Sequence, residues 1–178
     1  FYIYSGLVKA YHITKDGEEN LLIIRKEHEL FPLIWAITGQ ERQVIYETLA
    51  PTVTWQISRA RFMKYMQAHP EALAPLLDMT IEMYSLHSER ILNLEYRSVL
   101  EWLISFLLTM SQRFGHDSDA GTIIEVPLLQ HDSARASNAS RETTSRELGA
   151  LERKGLITTE QSCITLVDIK ALHAHLSR

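Results

Sequence analysis

The chain has 178 residues, of which 46% are hydrophobic, and this is enough to bury the core of one or two domains. It carries 18 Lys and Arg against 22 Asp and Glu, a net charge of −4, so binding to nucleic acid would have to come from a local surface. The single cysteine, Cys163, excludes an internal disulfide and a cysteine-built zinc or iron–sulfur site. The apolar stretch at residues 99–110 is too short to cross a bilayer, so we expect no membrane span and a reducing, cytoplasmic location.

The first third of the chain is predicted to be β-structure. Apolar runs rich in β-branched and aromatic side chains predict short strands at residues 1–4, 6–14, 19–25, 43–49 and 53–58. Asp16-Gly17 lies between the second and third runs and is typical of a tight hairpin, because glycine adopts the positive φ that such turns need. No helical periodicity is found before Arg61. The pattern predicts a sandwich, jelly roll or barrel at 1–69, and because Phe1 already lies in a strand we expect its first strands to be missing.

A long amphipathic helix is predicted for residues 70–95. Pro70 suits the first position of a helix, and Glu71 is favourable in the first turn. Seam-forming side chains then recur at alternating spacings of four and three over three heptads, which is typical of paired helices. The predicted dimer seam is Leu73, Leu77, Thr80, Tyr84, His87, Ile91 and Leu94. A second stripe with Leu76, Met79 and Met83 leaves two interpretations open: packing on its own domain alone, or also pairing with a second copy, which we favour.

Residues 96–178 are predicted to form a winged helix-turn-helix. Ser140 suits the N-cap of the second motif helix, and Gly155 suits its end. Asp168 is predicted to cap a last helix. The predicted elements are a helix at 96–114 stopped by Gly115, a polar loop at 116–121, a strand at 122–126, a helix at 128–136, a turn at Asn138, a helix at 141–154, and wing strands at 156–159 and 163–167.

The second motif helix carries the most specific pattern in the chain. It is Ser140-Arg141-Glu142-Thr143-Thr144-Ser145-Arg146-Glu147-Leu148, continued by Leu151-Glu152-Arg153-Lys154-Gly155-Leu156-Ile157. This pattern resembles the recognition helix and wing of the Crp/Fnr superfamily, the bacterial regulators that include the cyclic-AMP receptor protein and the fumarate–nitrate regulator. The resemblance covers the whole chain. It implies an α+β transcription regulator, not an enzyme, with a cyclic-nucleotide-binding-like β jelly roll at 1–69, a dimerisation helix at 70–95 and a winged helix-turn-helix at 96–178.

The resemblance also implies which side chains contact DNA. They are Ser140, Arg141, Glu142, Thr143, Ser145 and Arg146. The two arginines suit paired hydrogen bonds to guanine, the glutamate can accept one from cytosine, and the hydroxyls suit phosphate oxygens. A homodimer would then recognise a palindrome with TGTGA-like or TTGA-like half-sites, with RNA polymerase as a further partner. The alternative is a charged, solvated helix face on a protein of the same fold that does not bind DNA.

The jelly roll departs from the pattern of superfamily members that bind cyclic nucleotides. Those members carry a Gly-Glu pair and, further on, an Arg-Ser pair around the ligand. The matching positions here are Pro32-Leu33 and Arg42-Gln43, and proline lacks the N–H while leucine cannot accept a hydrogen bond. We therefore expect cyclic AMP to bind weakly or not at all, and another small effector or none stays open. The candidate effector contacts are Arg42, Gln43, Leu33, Tyr84 and Ser88.

Metal and cofactor chemistry is not expected from the histidine pattern. The eight histidines are scattered, so no metal site and no resident cofactor are predicted, although haem ligation through His12, His28 or His87 stays open. A metal-dependent cupin would need several histidines and a carboxylate converging from strands. Only His12 lies inside a predicted strand, so an enzyme of that kind is the less favoured alternative.

Overall fold

The computed structural model describes residues 1–127, 140–160 and 163–176. The chain forms two compact units, Phe1–Glu89 and Arg90–Arg178, and one long helix contributes residues to both. The sequence predicts boundaries after residues 69 and 95 instead, and that three-part division stays a prediction. The predicted helix at 128–136, the turn at Asn138 and the wing turn at 161–162 lie outside the described residues.

The N-terminal unit is built on antiparallel strands in two sheets, as predicted for a jelly roll. The larger sheet has the order β3-β2-β4, and β1 pairs with β5. The predicted hairpin between β2 and β3 is present: Gly17 has φ 81°, and its N–H donates to the Thr14 carbonyl at 3.0 Å. Ile3, Val8 and Phe31 form a buried cluster of this unit, with Tyr46 packed against it. The strands are β1 (Tyr2–Ser5), β2 (Val8–Ile13), β3 (Glu19–Arg25), β4 (Ile45–Thr48) and β5 (Val53–Trp55).

Helical structure begins earlier than the sequence predicts. Helix α1 spans Leu33–Thr38 and ends at Gly39, which has φ 73°. Six residues are too few to show a period of 3.6, and Leu-Ile-Trp-Ala-Ile-Thr has the composition of a strand. Helix α2 (Arg59–Ala68) starts two residues before the predicted onset, because the Ser58 hydroxyl accepts the Arg61 N–H and caps it. The predicted strand at 53–58 therefore ends at Trp55.

The long helix matches its prediction closely. A 3₁₀ turn (Pro70–Ala72) leads into helix α3 (Leu73–Tyr96). Pro75 is tolerated because it is the third residue of α3, where the backbone N–H has no partner within the helix. The predicted second stripe faces the β-domain of its own unit: the Leu30 N–H lies 3.5 Å from Met79 Sδ, and Arg25 Nη1 lies 3.6 Å from Met83 Sδ.

The C-terminal unit surrounds one apolar helix. The Ser98 hydroxyl and the Glu101 carboxylate form a reciprocal cap at the start of that helix, and hydrogen bonds from Ser98 hold the pKa of the Glu101 carboxyl below its ordinary value. The buried Asn93 amide of α3 donates to the Ser105 hydroxyl at 2.8 Å. The strands form one sheet of order β6-β7-β9-β8. The elements are α4 (Val99–Phe114), β6 (Gly115–Ser118), β7 (Gly121–Ile124), α5 (Arg141–Arg153), β8 (Ile157–Glu160), β9 (Cys163–Leu166) and α6 (Ile169–Leu176).

Two predictions around α4 are wrong in detail. The helix starts at Val99 rather than at residue 96, because Ser98 caps it. The polar stretch at 116–121 is not a loop: β6 pairs with β7 as a hairpin, with Ser118 opposite Gly121. Gly115 ends α4 as predicted, but with φ −84° its backbone is extended and not in the left-handed conformation in which glycine often ends a helix. A side chain there would collide with the Ser111 carbonyl and the Thr122 methyl. Glycine is therefore required, because these two groups come too close to its backbone for a Cβ atom to fit.

Replacing Leu103 with alanine is expected to lower the free energy of unfolding by about 2–5 kcal/mol. Leu103 is fully buried in α4, so truncation leaves a cavity in the core that positions α5 and α6. The measurement is urea unfolding at a fixed protomer concentration. Val167→Ala, at a 45% exposed position, is the control and should change stability by less than about 1 kcal/mol. Equal losses in the two variants would contradict the placement of α4 in the core.

Candidate nucleic-acid interface

Helix α5 is positioned at both ends by its own sequence. The Ser140 hydroxyl accepts the Thr143 N–H at 3.1 Å and lies 2.9 Å from the Thr143 hydroxyl, so Ser140 is the predicted N-cap. The helix ends at Arg153, and Gly155 with φ 67° turns the chain into β8, as predicted. Asp168 accepts the Ala171 N–H at 2.9 Å and caps α6, which also confirms a prediction.

One face of α5 packs into the unit and the other is open to solvent. Thr144, Leu148 and Leu151 are buried and follow each other at spacings of four and three, the period of one helix face. The predicted DNA contacts Arg141, Glu142, Ser145 and Arg146 are all exposed. Glu142 and Arg146 lie one above the other at i and i+4, whereas Arg141 and Arg146 are about 140° apart around the axis.

The predicted phosphate contacts differ in how available they are. The Ser145 hydroxyl is on the exposed face, but Thr143 is half-buried and its hydroxyl lies against Ser140 in the N-cap. A change at Thr143 would therefore disturb the start of α5 as well as any phosphate contact. Ser145 is the cleaner probe of a phosphate contact.

An ion pair that the sequence analysis missed lies beside the predicted base-contacting arginine. Arg146 Nε and Nη2 lie 3.3 Å and 3.1 Å from the same oxygen, Oε1 of Glu147. Arg146 is 67% exposed and Glu147 only 21%. Neighbours at i and i+1 point in different directions on a helix, so helical spacing gave no signal for this pair.

The predicted dimer seam lies on an exposed face of α3. All seven seam residues are exposed in the protomer, Tyr84 by 73% and Ile91 by 59%. Ile81 and Leu92 are also exposed, by 53% and 57%, and widen the apolar surface beyond the predicted seam. Ile81 and Leu92 fall outside the predicted spacing because they lie about 60–80° around the helix from Tyr84, on the side away from the other seam residues. We call the seven seam residues with Ile81 and Leu92 the α3 stripe.

The five candidate effector residues lie on α1, on the segment before β4 and on α3. Leu33 begins α1 and lines a cavity of about 240 Å³ with Phe31, Trp35, Arg59 and Phe62, among others. Arg42 and Gln43 are exposed, and the Gln43 carbonyl lies 2.8 Å from His12 Nδ1. Tyr84 and Ser88 are on α3. Within the described residues, which include all five, no side-chain hydrogen bond or ion pair joins any two of them, so their shared role stays a prediction.

Two negative findings concern the described part of the chain. Within it, no group of three His, Cys, Asp or Glu side chains is placed to hold a metal ion. None of its helices is both long and apolar enough to span a membrane.

A jelly roll, a long helix with an exposed apolar stripe, and a capped helix followed by a β-wing define the class of a winged helix-turn-helix regulator with an N-terminal ligand-binding-type domain. The family comparisons agree. A model described as the cyclic nucleotide-binding domain matches residues 1–69, and one described as the Crp-like helix-turn-helix domain matches residues 102–175. The chain belongs to the Crp/Fnr superfamily and is a DNA-binding transcription regulator.

Relatives along almost the whole chain are regulators of the same kind. The chain is 27% identical to a global nitrogen regulator of Synechococcus elongatus, over 99% of this chain and 81% of that protein. It is 24% identical to a CRP-like cAMP-activated global transcriptional regulator of Mycobacterium tuberculosis, over 97% and 77% of the two chains. A CRP-family regulator of Thermus thermophilus shares the fold with a TM-score of 0.80 at 20% identity, over 99% of this chain and 87% of that one.

Proposed function

We propose that two copies of this chain pair through the α3 stripe and recognise a palindromic DNA site, each through its own helix α5. The observation that carries this proposal is the solvent face of α5, where Arg141, Glu142, Ser145 and Arg146 are all exposed on a helix that a buried face fixes in place. Arginine pairs with guanine O6 and N7, and glutamate accepts from cytosine N4, so these side chains have the chemistry for base recognition.

The acidic overall charge is compatible with this proposal because few contacts are needed per protomer. Two protomers double the number of phosphate contacts, and the small number of Lys and Arg side chains implies a modest dependence of affinity on salt. The test is a selection from random duplexes by the full chain, followed by titration of the selected duplex. A palindromic consensus supports the proposal. The absence of any sequence preference favours the alternative, an interaction protein of the same fold that does not bind DNA.

We propose that cyclic AMP is not an effector of this chain, and the expected result is the absence of tight cyclic-AMP binding. Pro32 supplies no N–H for a phosphate, and Leu33, half-buried against the α1 cavity, cannot accept a hydrogen bond from a ribose hydroxyl. Isothermal calorimetry of the full chain with cyclic AMP should show no binding at micromolar concentrations. A dissociation constant in the micromolar range would contradict this prediction, and the Mycobacterium relative described as cAMP-activated is the positive control.

The remaining parts of the proposal follow from the family. We propose a cytoplasmic, non-catalytic protein without a resident cofactor that contacts RNA polymerase when bound to DNA. The cupin and haem alternatives would need His12 or His28 as a metal ligand. His12 Nδ1 lies 2.8 Å from the Gln43 carbonyl, and His28 Nδ1 lies 2.7 Å from the Tyr2 hydroxyl. Metal analysis and an absorption spectrum of the purified protein separate a metalloprotein or haem protein from the proposed regulator.

A further inference from the structure

We propose that Glu147 is a positioning residue for base recognition: it holds the guanidinium of Arg146 so that its outer edge faces the DNA. The inference rests on the proposed function, because it needs Arg146 to contact a base. It adds a residue outside the predicted DNA-contacting set.

The geometry of the ion pair carries the inference. A guanidinium has five N–H donors in a planar fork, and Glu147 Oε1 takes one from Nε and one from Nη2. The three that stay available include two parallel N–H groups, one on Nη1 and one on Nη2, at the far end of the fork. Two parallel donors are what guanine O6 and N7 require. The pair therefore engages one edge of Arg146 and leaves the base-contacting edge open.

The placement of Glu147 makes it a suitable support. Its side chain is only 21% exposed and sits next to Leu148 and one turn from Thr144, both of which are buried. Arg146, by contrast, is 67% exposed and would otherwise sample many rotamers. A side chain that is already oriented loses less conformational entropy when it binds DNA.

The other nearby carboxylate is left for a different task. Glu142 is four residues before Arg146, a spacing at which an ion pair can form. No hydrogen bond or ion pair with another described residue engages the Glu142 side chain, and Arg146 is paired with Glu147 instead. The two glutamates thus have different roles: Glu147 orients Arg146, and Glu142 is available to accept a hydrogen bond from cytosine N4.

The experiment measures discrimination rather than affinity alone. The wild-type chain, Glu147→Ala and Glu147→Gln are titrated against the selected palindrome and against the duplex altered at the base pair that Arg146 recognises. Glu147→Ala is expected to reduce the affinity ratio of the two duplexes by at least about threefold, the coupling typical of residues in direct contact. Glu147→Gln keeps a neutral acceptor of about half the strength, so its ratio should lie between those of wild type and the alanine variant.

Two controls separate orientation from charge. Glu152→Ala removes the same charge from an exposed position of α5, so it should raise affinity for both duplexes alike and leave their ratio unchanged. In an Arg146→Ala background, Glu147→Ala should cause no further loss of discrimination. Circular dichroism melts check that α5 is folded, and if the alanine variant is unfolded the glutamine variant decides.

The outcomes distinguish this inference from the function on which it rests. If Arg146→Ala relaxes one base pair but both Glu147 variants discriminate like wild type, only the positioning role of Glu147 is overturned. The same holds if the Glu147 variants change both affinities equally, as Glu152→Ala does, or if their effect persists without Arg146. If Arg146→Ala leaves the selected motif unchanged, base recognition by Arg146 fails and the positioning role fails with it.

Discussion

Arg146→Ala is expected to weaken binding to the selected palindrome by about 1–3 kcal/mol per half-site, roughly 5- to 150-fold, and to relax preference at one base pair. Arg146 is 67% exposed on the outward face of α5 and far from the buried face formed by Thr144, Leu148 and Leu151, so its loss should not unfold the helix. The loss arises because a guanine that accepted two hydrogen bonds is left with neither.

The measurement is selection from random duplexes with wild type and variant in parallel, followed by titration of single-base-pair changes. Ser145→Ala is the matched control: a lost phosphate contact should weaken all sequences alike and leave the motif intact. Two half-sites should appear about one helical turn apart, roughly 34 Å between centres, because a two-fold dimer presents two equal helices. A non-palindromic preference in the wild type would contradict the symmetric dimer, and an unchanged motif in Arg146→Ala would remove that side chain from base recognition.

Replacing Tyr84 and Ile91 together with glutamate is expected to dissociate the proposed dimer. Both side chains are exposed in the protomer, by 73% and 59%, so the protomer itself should tolerate the change. In the dimer, four carboxylates would be brought into the paired α3 stripes without cationic partners. A single unpaired buried charge costs about 3–5 kcal/mol, so the free energy of dimerisation should become less favourable by several kcal/mol. Light scattering of the full chain should report a monomer where the wild type gives twice that mass.

Gln67→Glu with Gln112→Glu is the matched control for this variant. Both positions are exposed and lie outside α3, on α2 and α4, and they add the same number of charges. The control should stay dimeric. A dimer that survives Tyr84→Glu with Ile91→Glu, or a control that dissociates equally, would place the interface elsewhere.

The C-terminal recognition unit was largely predictable because its signals are local. A serine N-cap, buried residues at spacings of four and three, and a glycine at the end each act within one or two helical turns. In the structure Ser140 is the N-cap of α5, Leu148 is buried, and Gly155 turns the chain after the helix, as the residues around them in the sequence indicate. The long helix was predictable for the same reason, because its 24 residues are enough for the spacing of the seam residues to repeat several times.

The errors fall where an element is short or where its partner is distant in sequence. Helix α1 has six residues of strand-like composition, and its last carbonyls, those of Trp35 and Ile37, accept hydrogen bonds from the distant Arg59 side chain. Strand β6 is polar throughout and exists because β7 supplies its hydrogen-bond partners. Gly115 ends α4 as predicted, but the reason that a side chain is excluded there, the closeness of Ser111 and Thr122, is visible only in the tertiary structure.

Sequence alone therefore predicted the order of β-rich structure, long helix and capped helix with a β-wing, the outward-facing side chains of α5, and the exposed face of α3 on which the predicted seam lies. Tertiary structure decided which surfaces remain exposed: the β-domain covers α3 at Met79 and Met83, whereas Ile81 and Leu92 are left exposed and join the apolar stripe. It also decided the pairing of Arg146 with Glu147 rather than with Glu142. Helical spacing places Glu142 one turn from Arg146, but the side-chain conformations in the folded unit bring the Arg146 guanidinium to its immediate neighbour Glu147 instead.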